Sequence, residues 1–316
     1  MARSAGHRLQ WDEVRPDRRS RLEAVLGSPV RLAVGQQGGY GPGLAARCEL
    51  ADGRRVFVKG VAADQNPHTP AMVRREVTVV ADLPEGAPAP ALLHVVDEGD
   101  WVALVFEEVP GVHPAVPWDE AELRSVLRAT LAIGELEPAS SLPTVAGHYG
   151  PVFRGWRTLA AEGPDAVAED WSRRNLERLA DLEAGWEEAT AGSSLVHGDV
   201  RSDNVLLVPR DGQLPGAADV VFVDWTSTCV GAGWFDVVAM LPSVELEGGG
   251  SPEHVLRLAG LRLDDRQLAP LVAALAGYFA ERGRLPDPPG LPTLRSFQQA
   301  QGAVALAWLR RLLRWP

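Results

Sequence analysis

The stretch from Ser194 to Pro209, SLVHGDVRSDNVLLVP, constrains this chain more than any other part of it. Leu195 and Val196 lead in and Val205, Leu206, Leu207 and Val208 lead out, as buried strands do. Between them stand His197, Asp199, Arg201, Asp203 and Asn204. Polar groups at such a place are costly unless something satisfies them, and a phosphate chain with a metal ion would do so. A second apolar run, VVFVDW, ends in Asp224. A hairpin joining the two runs brings Asn204 and Asp224 to adjacent strand ends, which supplies two oxygen ligands for one Mg²⁺. Asp199 then lies nearby without a metal to hold, placed to accept a proton from a substrate hydroxyl. Phosphoryl transfer needs that division of labour.

The rest of the chain reads as two parts. A length of 316 residues leaves room for roughly two domains at ~150 residues each. The first part is β-rich: RLAVGQQGGYGPGLAARCELADGRRVFVKG reads as strands joined by a glycine-rich turn and by the Asp52-Gly53 turn, with Lys59 ending the last strand. An N-terminal amphipathic helix runs through Leu22, Val25 and Leu26. A second helix follows Thr69-Pro70, although the β-branched run from Val77 to Val80 works against it. Two further strands, ALLHVVDEG and DWVALVFEEV, lead to Pro110-Gly111. Helices then take over, first behind Asp119 as a cap with Glu122 three residues on. Others are expected over roughly 165–190 and in APLVAALAGYFAER and LRSFQQAQGAVALAWLRRLLRW.

Among the 31 basic residues Lys59 is the sole lysine. Lysine is a compact point charge where arginine is a wide fork, so a tight pocket selects between them; chance survival on a surface strand is the alternative. Glu76 lies in a helical stripe with Met72, Val73, Val77 and Val80. An acid there is expensive without a partner, and Lys59 is the expected one; the other reading leaves Glu76 solvated beside Arg74 and Arg75.

A net charge of -11 argues against a nucleic-acid surface. It fits a cationic or neutral partner, and solubility alone would also explain it. Cys48 and Cys229 match no metal or redox spacing and suggest a reducing compartment. No apolar run of about 18 residues is present to span a membrane, and the N-terminus is too charged for a secretory signal, so a cytoplasmic protein is expected.

These motifs resemble the aminoglycoside phosphotransferase and choline kinase family, which shares the protein-kinase-like fold. The family's catalytic loop, H-G-D-x-x-x-x-N, is matched by His197, Gly198, Asp199 and Asn204, and its metal-binding aspartate by Asp224. The resemblance implies an α+β, two-lobed fold: a small β-rich nucleotide-binding lobe over residues 1–109, and a larger, mainly helical catalytic and substrate-binding lobe over 110–316. It places Lys59 on the α- and β-phosphates of ATP with Glu76 as its partner. The Glu107 carbonyl and Val109 amide would meet the adenine, with Phe106 behind it. Asp236 would brace the catalytic loop, and His197 is read as a brace rather than a base. Arg201 sits where protein kinases carry a phosphate-contacting lysine. It would either stabilise charge on the transferred group or pair structurally, for example with Asp203.

The glycines Gly35, Gly38, Gly39, Gly41 and Gly43 would let the first hairpin approach the phosphates closely, but they do not match the protein-kinase pattern, and Pro42 removes a donor. A mobile turn is the competing reading there. Trp225 and Trp234 are read as packing residues. The implied activity is transfer of the γ-phosphate of ATP, with Mg²⁺, to a hydroxyl of a small molecule. That acceptor is an antibiotic, a cationic aminoglycoside-like one among them, or a metabolite alcohol such as choline, homoserine or methylthioribose. Glu245, Glu247 and Glu253 would receive a cationic acceptor or lie on a solvated loop. The short segment from Trp225 to Asp236 disfavours a protein kinase, and the full set of chemical residues disfavours a non-catalytic nucleotide-binding protein.

Overall fold

A computed structural model of the protein describes residues 8–36, 41, 43–67, 69–209 and 219–316. Gly38, Gly39 and Pro42 of the expected glycine-rich turn, residues 210–218, and His7 and His68 lie outside the described residues.

Apolar alternation draws the first part of the chain into strands β1 (Val30–Gly35), β2 (Leu44–Leu50), β3 (Arg55–Ala62), β4 (Leu92–Asp97) and β5 (Trp101–Glu107). They form one antiparallel sheet in the order β1-β2-β3-β5-β4. Helix α1 (Pro16–Leu26) precedes the sheet, with Leu22 and Leu26 buried and Val25 left exposed. Helix α2 (Thr69–Ala81) forms despite its β-branched run, because Val73, Glu76 and Val79 bury one stripe. Period-2 alternation gives the sheet two apolar faces. Val56, Val58, Ala103 and Val105 pack with Leu22 and Leu26, whereas Val61, Val102, Leu104 and Phe106 pack with Val73 of α2.

The remainder is mainly helical. Helix α3 (Glu120–Ile133) is capped by Asp119, whose Oδ1 accepts from Ala121 N at 2.8 Å and Glu122 N at 3.1 Å. Glu122 closes no capping box; its carboxylate accepts from Ala115 N instead. Two short helices not anticipated follow, α4 (Val145–Tyr149) and α5 (Gly155–Glu162). The helical region expected over 165–190 is three helices, α6 (Asp170–Arg174), α7 (Leu176–Ala184) and α8 (Trp186–Ala189), broken at Asn175 and Gly185.

Strands β6 (Ser194–Val196), β7 (Val205–Val208), β8 (Asp219–Phe222) and β9 (Cys229–Gly231) form two small ladders, β6 with β9 and β7 with β8. Helices α9 (Phe235–Leu246), α10 (Pro252–Leu258), α11 (Asp265–Gly283) and α12 (Leu294–Leu313) complete the chain. Helix α11 starts earlier than expected because Asp264 caps it and Gln267 returns the bond. A large apolar core, including Trp156, Trp186, Trp225, Phe235 and Trp308, holds this half together. Among the described residues no helix is long and apolar enough to cross a membrane.

Candidate active site

One side of the site is built on the sheet. On β3, Val56 and Val58 face the core under α1, so Phe57 and Lys59 point to the opposite side, toward α2. There Lys59 Nζ lies 2.8 Å from Glu76 Oε2 and 3.1 Å from Asp224 Oδ1. The expected partner of the buried acid is therefore the sole lysine. The two arginines beside Glu76 are engaged elsewhere. Arg74 forks Asp97, and Arg75 donates to the carbonyls of Thr226 and Thr228 at 2.7 and 3.2 Å, tying α2 to the segment that follows Asp224. Burial disfavours the Lys59 charge, but Asp224 and Glu76 outweigh it and hold the ammonium above its ordinary value. Burial pushes the Glu76 carboxyl up, against the pull of Lys59. With that ammonium in hydrogen-bond contact we read the pair as ionised, since a neutral Glu76 would leave the buried charge of Lys59 half-compensated.

The other side is the polar stretch from His197 to Asn204 with the hairpin that follows it. Val205 pairs with Phe222, and Val223 N donates to Asn204 O at 2.9 Å, so the hairpin does set Asn204 beside the strand that ends in Asp224. Asp224 adopts a left-handed backbone, φ 64°, which is uncommon for a residue with a side chain and is stored at functional sites. Its carboxylate also accepts from Thr226 Oγ1 at 2.8 Å. Against the cost of burial, Lys59 and Thr226 hold Asp224 well below the usual carboxylate range.

The Asp199 carboxylate accepts from Arg201 Nη1 at 3.0 and 3.1 Å and from Asn204 Nδ2 at 3.0 Å. It keeps 37% of its side-chain surface open, so a substrate hydroxyl has access. Burial pushes its pKa up, opposed by Arg201. Arg201 also forks Asp203 through Nε and Nη2 at 3.0 and 3.1 Å, so the structural pairing weighed from sequence is present.

His197 and Asp236 brace this loop. His197 is fully buried; its Nδ1 accepts from Asp199 N, and its Nε2 meets Val223 O at 3.2 Å. Burial lowers its pKa to about 4, so the ring is neutral at pH 7, and both its nitrogens are taken up by the backbone of Asp199 and Val223. Asp236 accepts from His197 N at 2.7 Å and Gly198 N at 2.8 Å. Gly198 has φ 88°, and a Cβ there would collide with Ser227 O, so glycine is required. Tyr149, which sequence reasoning did not single out, donates its hydroxyl to Gly198 O at 2.6 Å. Trp225 is buried, with Nε1 bonded to Phe222 O, and Trp234 is half-buried against the helical core; both pack.

Lys59, Glu76, Glu107, Val109, Asn204 and Asp224 line one cavity, with Gly41, Gly43 and Phe106. Beyond Glu107 the chain pairs with β7 through Val112 and Leu207, and Val109 O accepts from Gly111 N at 2.8 Å. Asp199 and Arg201 are not in the cavity lining; they are joined to it through Asn204 and Asp203. The cavity also contains Arg8, which sequence reasoning passed over. Glu245 and Glu253 are bonded to Arg311, and Glu247 accepts from Ser202 Oγ and Trp118 Nε1, so all three carboxylates have internal partners.

This arrangement sets a lysine–acid pair, an amide and a carboxylate around one cavity, beside a braced aspartate, which is the equipment of phosphoryl transfer. The chain belongs to the phosphotransferase enzyme family, whose model matches residues 47–284. It is a small-molecule phosphotransferase with a two-lobed, protein-kinase-like α+β fold. No curated protein matches it. Among solved structures it is similar to a choline/ethanolamine kinase family protein from Mesorhizobium loti, with a TM-score of 0.58, 14% identity and 95% of each chain covered. Spectinomycin phosphotransferase APH(9)-Ia, solved with ADP and spectinomycin, gives 0.56 and 14%, covering 95% of this chain and all of that one. A macrolide 2'-phosphotransferase type I gives 0.55 and 20%, covering 94% and 98%.

Proposed function

We propose that the protein transfers the γ-phosphate of ATP, with Mg²⁺, to a hydroxyl of a small molecule. The observation that carries this is Lys59 held between Glu76 and Asp224, in the same cavity as Asn204. Residues far apart in the chain meet there, and together they suit a polyphosphate and its cation. In this reading Lys59, positioned by Glu76, contacts the α- and β-phosphates, and the backbone at Glu107 and Val109 takes the adenine. The ADP held by the spectinomycin phosphotransferase supports a nucleotide in this place.

The donor set fits Mg²⁺. Asn204 spends its amide nitrogen on Asp199, at 2.8 Å to O and 3.0 Å to Oδ2, which leaves its amide oxygen as the ligating atom. Asp224 is held ionised. Among the described residues no group of three or more His, Cys, Asp or Glu gathers as a metal cage. One carboxylate and one amide, completed by phosphate oxygens, is how Mg²⁺ is commonly held. When bound, the ion would neutralise charge on the phosphate oxygens. Asp199 accepts the acceptor's hydroxyl proton as the new O–P bond forms and the bond between the β and γ groups breaks, releasing ADP. Arg201, adjoining Asp199, stabilises charge on the group in flight.

The acceptor is a hydroxyl compound, an antibiotic or a metabolite alcohol, bound by the lobe that follows residue 109, while residues 1–109 bind the nucleotide. We place the reaction in the cytoplasm, where ATP is abundant; the free thiols of Cys48 and Cys229 suit a reducing compartment. A coupled ATPase screen across antibiotics and metabolite alcohols, read by mass gain of one phosphate, tests this reading. The active pair is then repeated with Asp199→Asn. We expect turnover to fall by about 10²-fold or more with ATP binding nearly intact. Undiminished turnover in the purified variant would remove Asp199 from the role.

A further inference from the structure

The segment from Arg8 to Val14 is fastened along the sheet at several points. Leu9 and Trp11 pack on the core beneath α1, and Val14 is buried in it. The Gln10 side chain lies against Gly35 of β1, where any Cβ would collide with Gln10 Oε1. Gln10 N donates to Glu13 Oε2 at 2.8 Å, and Gln10 Nε2 donates to Arg8 O at 2.8 Å. The strap is thus anchored up to the residue that enters the cavity. Arg8 lines that cavity together with Gln36, Lys59, Asp203, Asn204 and Asp224.

Lys59 is engaged there by Glu76 and Asp224, and next to the cavity Arg201 is engaged by Asp199 and Asp203. Beside the Mg²⁺ that Asn204 and Asp224 would hold, a polyphosphate in this cavity is gripped by cationic side chains that reach its oxygens. Arg8 is placed to supply one; burial disfavours its charge, against the attraction of Asp203 and Asp224. A guanidinium can grip two phosphate oxygens at once, which the Lys59 ammonium cannot.

We propose that Arg8 is a phosphate-binding residue, carried by the N-terminal strap into the cavity to meet the phosphate chain of the bound nucleotide. This rests on the nucleotide reading above. The test is a titration of ATP and of adenosine, in the presence of Mg²⁺, against the wild-type protein, Arg8→Gln and Arg8→Lys, with circular dichroism to confirm folding. A charge-assisted hydrogen bond to phosphate corresponds to about tenfold or more in affinity. Arg8→Gln should weaken ATP binding by about that factor and leave adenosine binding unchanged, the ATP deficit shrinking as salt is raised. Arg8→Lys should recover part of the loss, and it carries the test should the glutamine variant not fold. Equal or tighter ATP binding by Arg8→Gln would overturn the proposal, tighter binding meaning that the guanidinium competes with the nucleotide. A parallel loss for adenosine would overturn it too, by making the strap merely structural. Failure of the wild-type protein to bind ATP would instead defeat the nucleotide reading itself.

Discussion

Removing the Asp236 carboxylate isolates what holds the catalytic loop in shape. Asp236 is 4% exposed and accepts from two backbone N–H groups, those of His197 and Gly198. In Asp236→Ala both donors lose their acceptor inside the core, at about 1–3 kcal/mol each, so the variant should lose about 2–6 kcal/mol. That is a large part of the 5–15 kcal/mol by which domains are usually stable, roughly speaking. Asp236→Asn keeps one acceptor oxygen but turns an NH₂ toward the other amide, and should lose about 1–3 kcal/mol. Burial pushes the Asp236 pKa to about 6, so urea unfolding should be followed near pH 8, where the carboxylate is ionised. The loop carries Asp199, whereas Lys59 and Glu76 stand on the sheet and α2. Turnover should therefore fall in both variants by a larger factor than nucleotide affinity. An alanine variant within about 0.5 kcal/mol of wild type, with full turnover, would refute the bracing role.

The neutral, buried His197 makes stability depend on pH. Its folded pKa of about 4 lies below the ordinary 6.5, so as pH falls through this window the unfolded chain takes a proton that the folded ring refuses, and stability falls. The unfolding free energy of wild type should drop by up to about 3 kcal/mol more than that of His197→Gln between those limits, a comparison that cancels the contributions of His148 and Asp236; parallel curves would rule it out. Gly155 of α5 faces Gly277 of α11 so closely that a Cβ would collide with Gly277 O. Gly155→Ala should cost about 1–3 kcal/mol in urea unfolding, and an unchanged midpoint would contradict this close crossing.

The residues legible in the sequence were those whose chemistry conflicts with their surroundings. Glu76 stands out because an acid interrupts an apolar stripe, and the structure resolves the conflict with Lys59 at 2.8 Å. The polar run from His197 to Asn204 stands out for the same reason. Its polar side chains have bonded partners: the Val223 carbonyl for the His197 ring, Asn204 and Arg201 for Asp199, Asp203 for Arg201. What escaped reading lacks any such local conflict. Arg75 is an arginine on a helix next to another arginine, and only the fold places Thr226 and Thr228 carbonyls at its tip. The pairing of β6 with β9, across the intervening hairpin, leaves no periodic trace in either three-residue strand. The helices broken at Asn175 and Gly185 share one apolar face, so periodicity runs across the breaks and hides them.

Arg8 is the extreme case, one arginine near the start of an arginine-rich chain. Its neighbours explain why its position is nonetheless specified. The Gln10 side chain lies against Gly35 of β1, and Leu9 and Trp11 find the apolar surface beneath α1. The strap is thus encoded by ordinary core-forming residues, and the charge it delivers stands among the Asp203 and Asp224 carboxylates of the cavity. The division of labour between the two halves follows. In the proposed reaction the carboxylates from the loops after β6 and β8 would serve proton transfer and the metal, while the cations from the sheet and its strap would meet the phosphates.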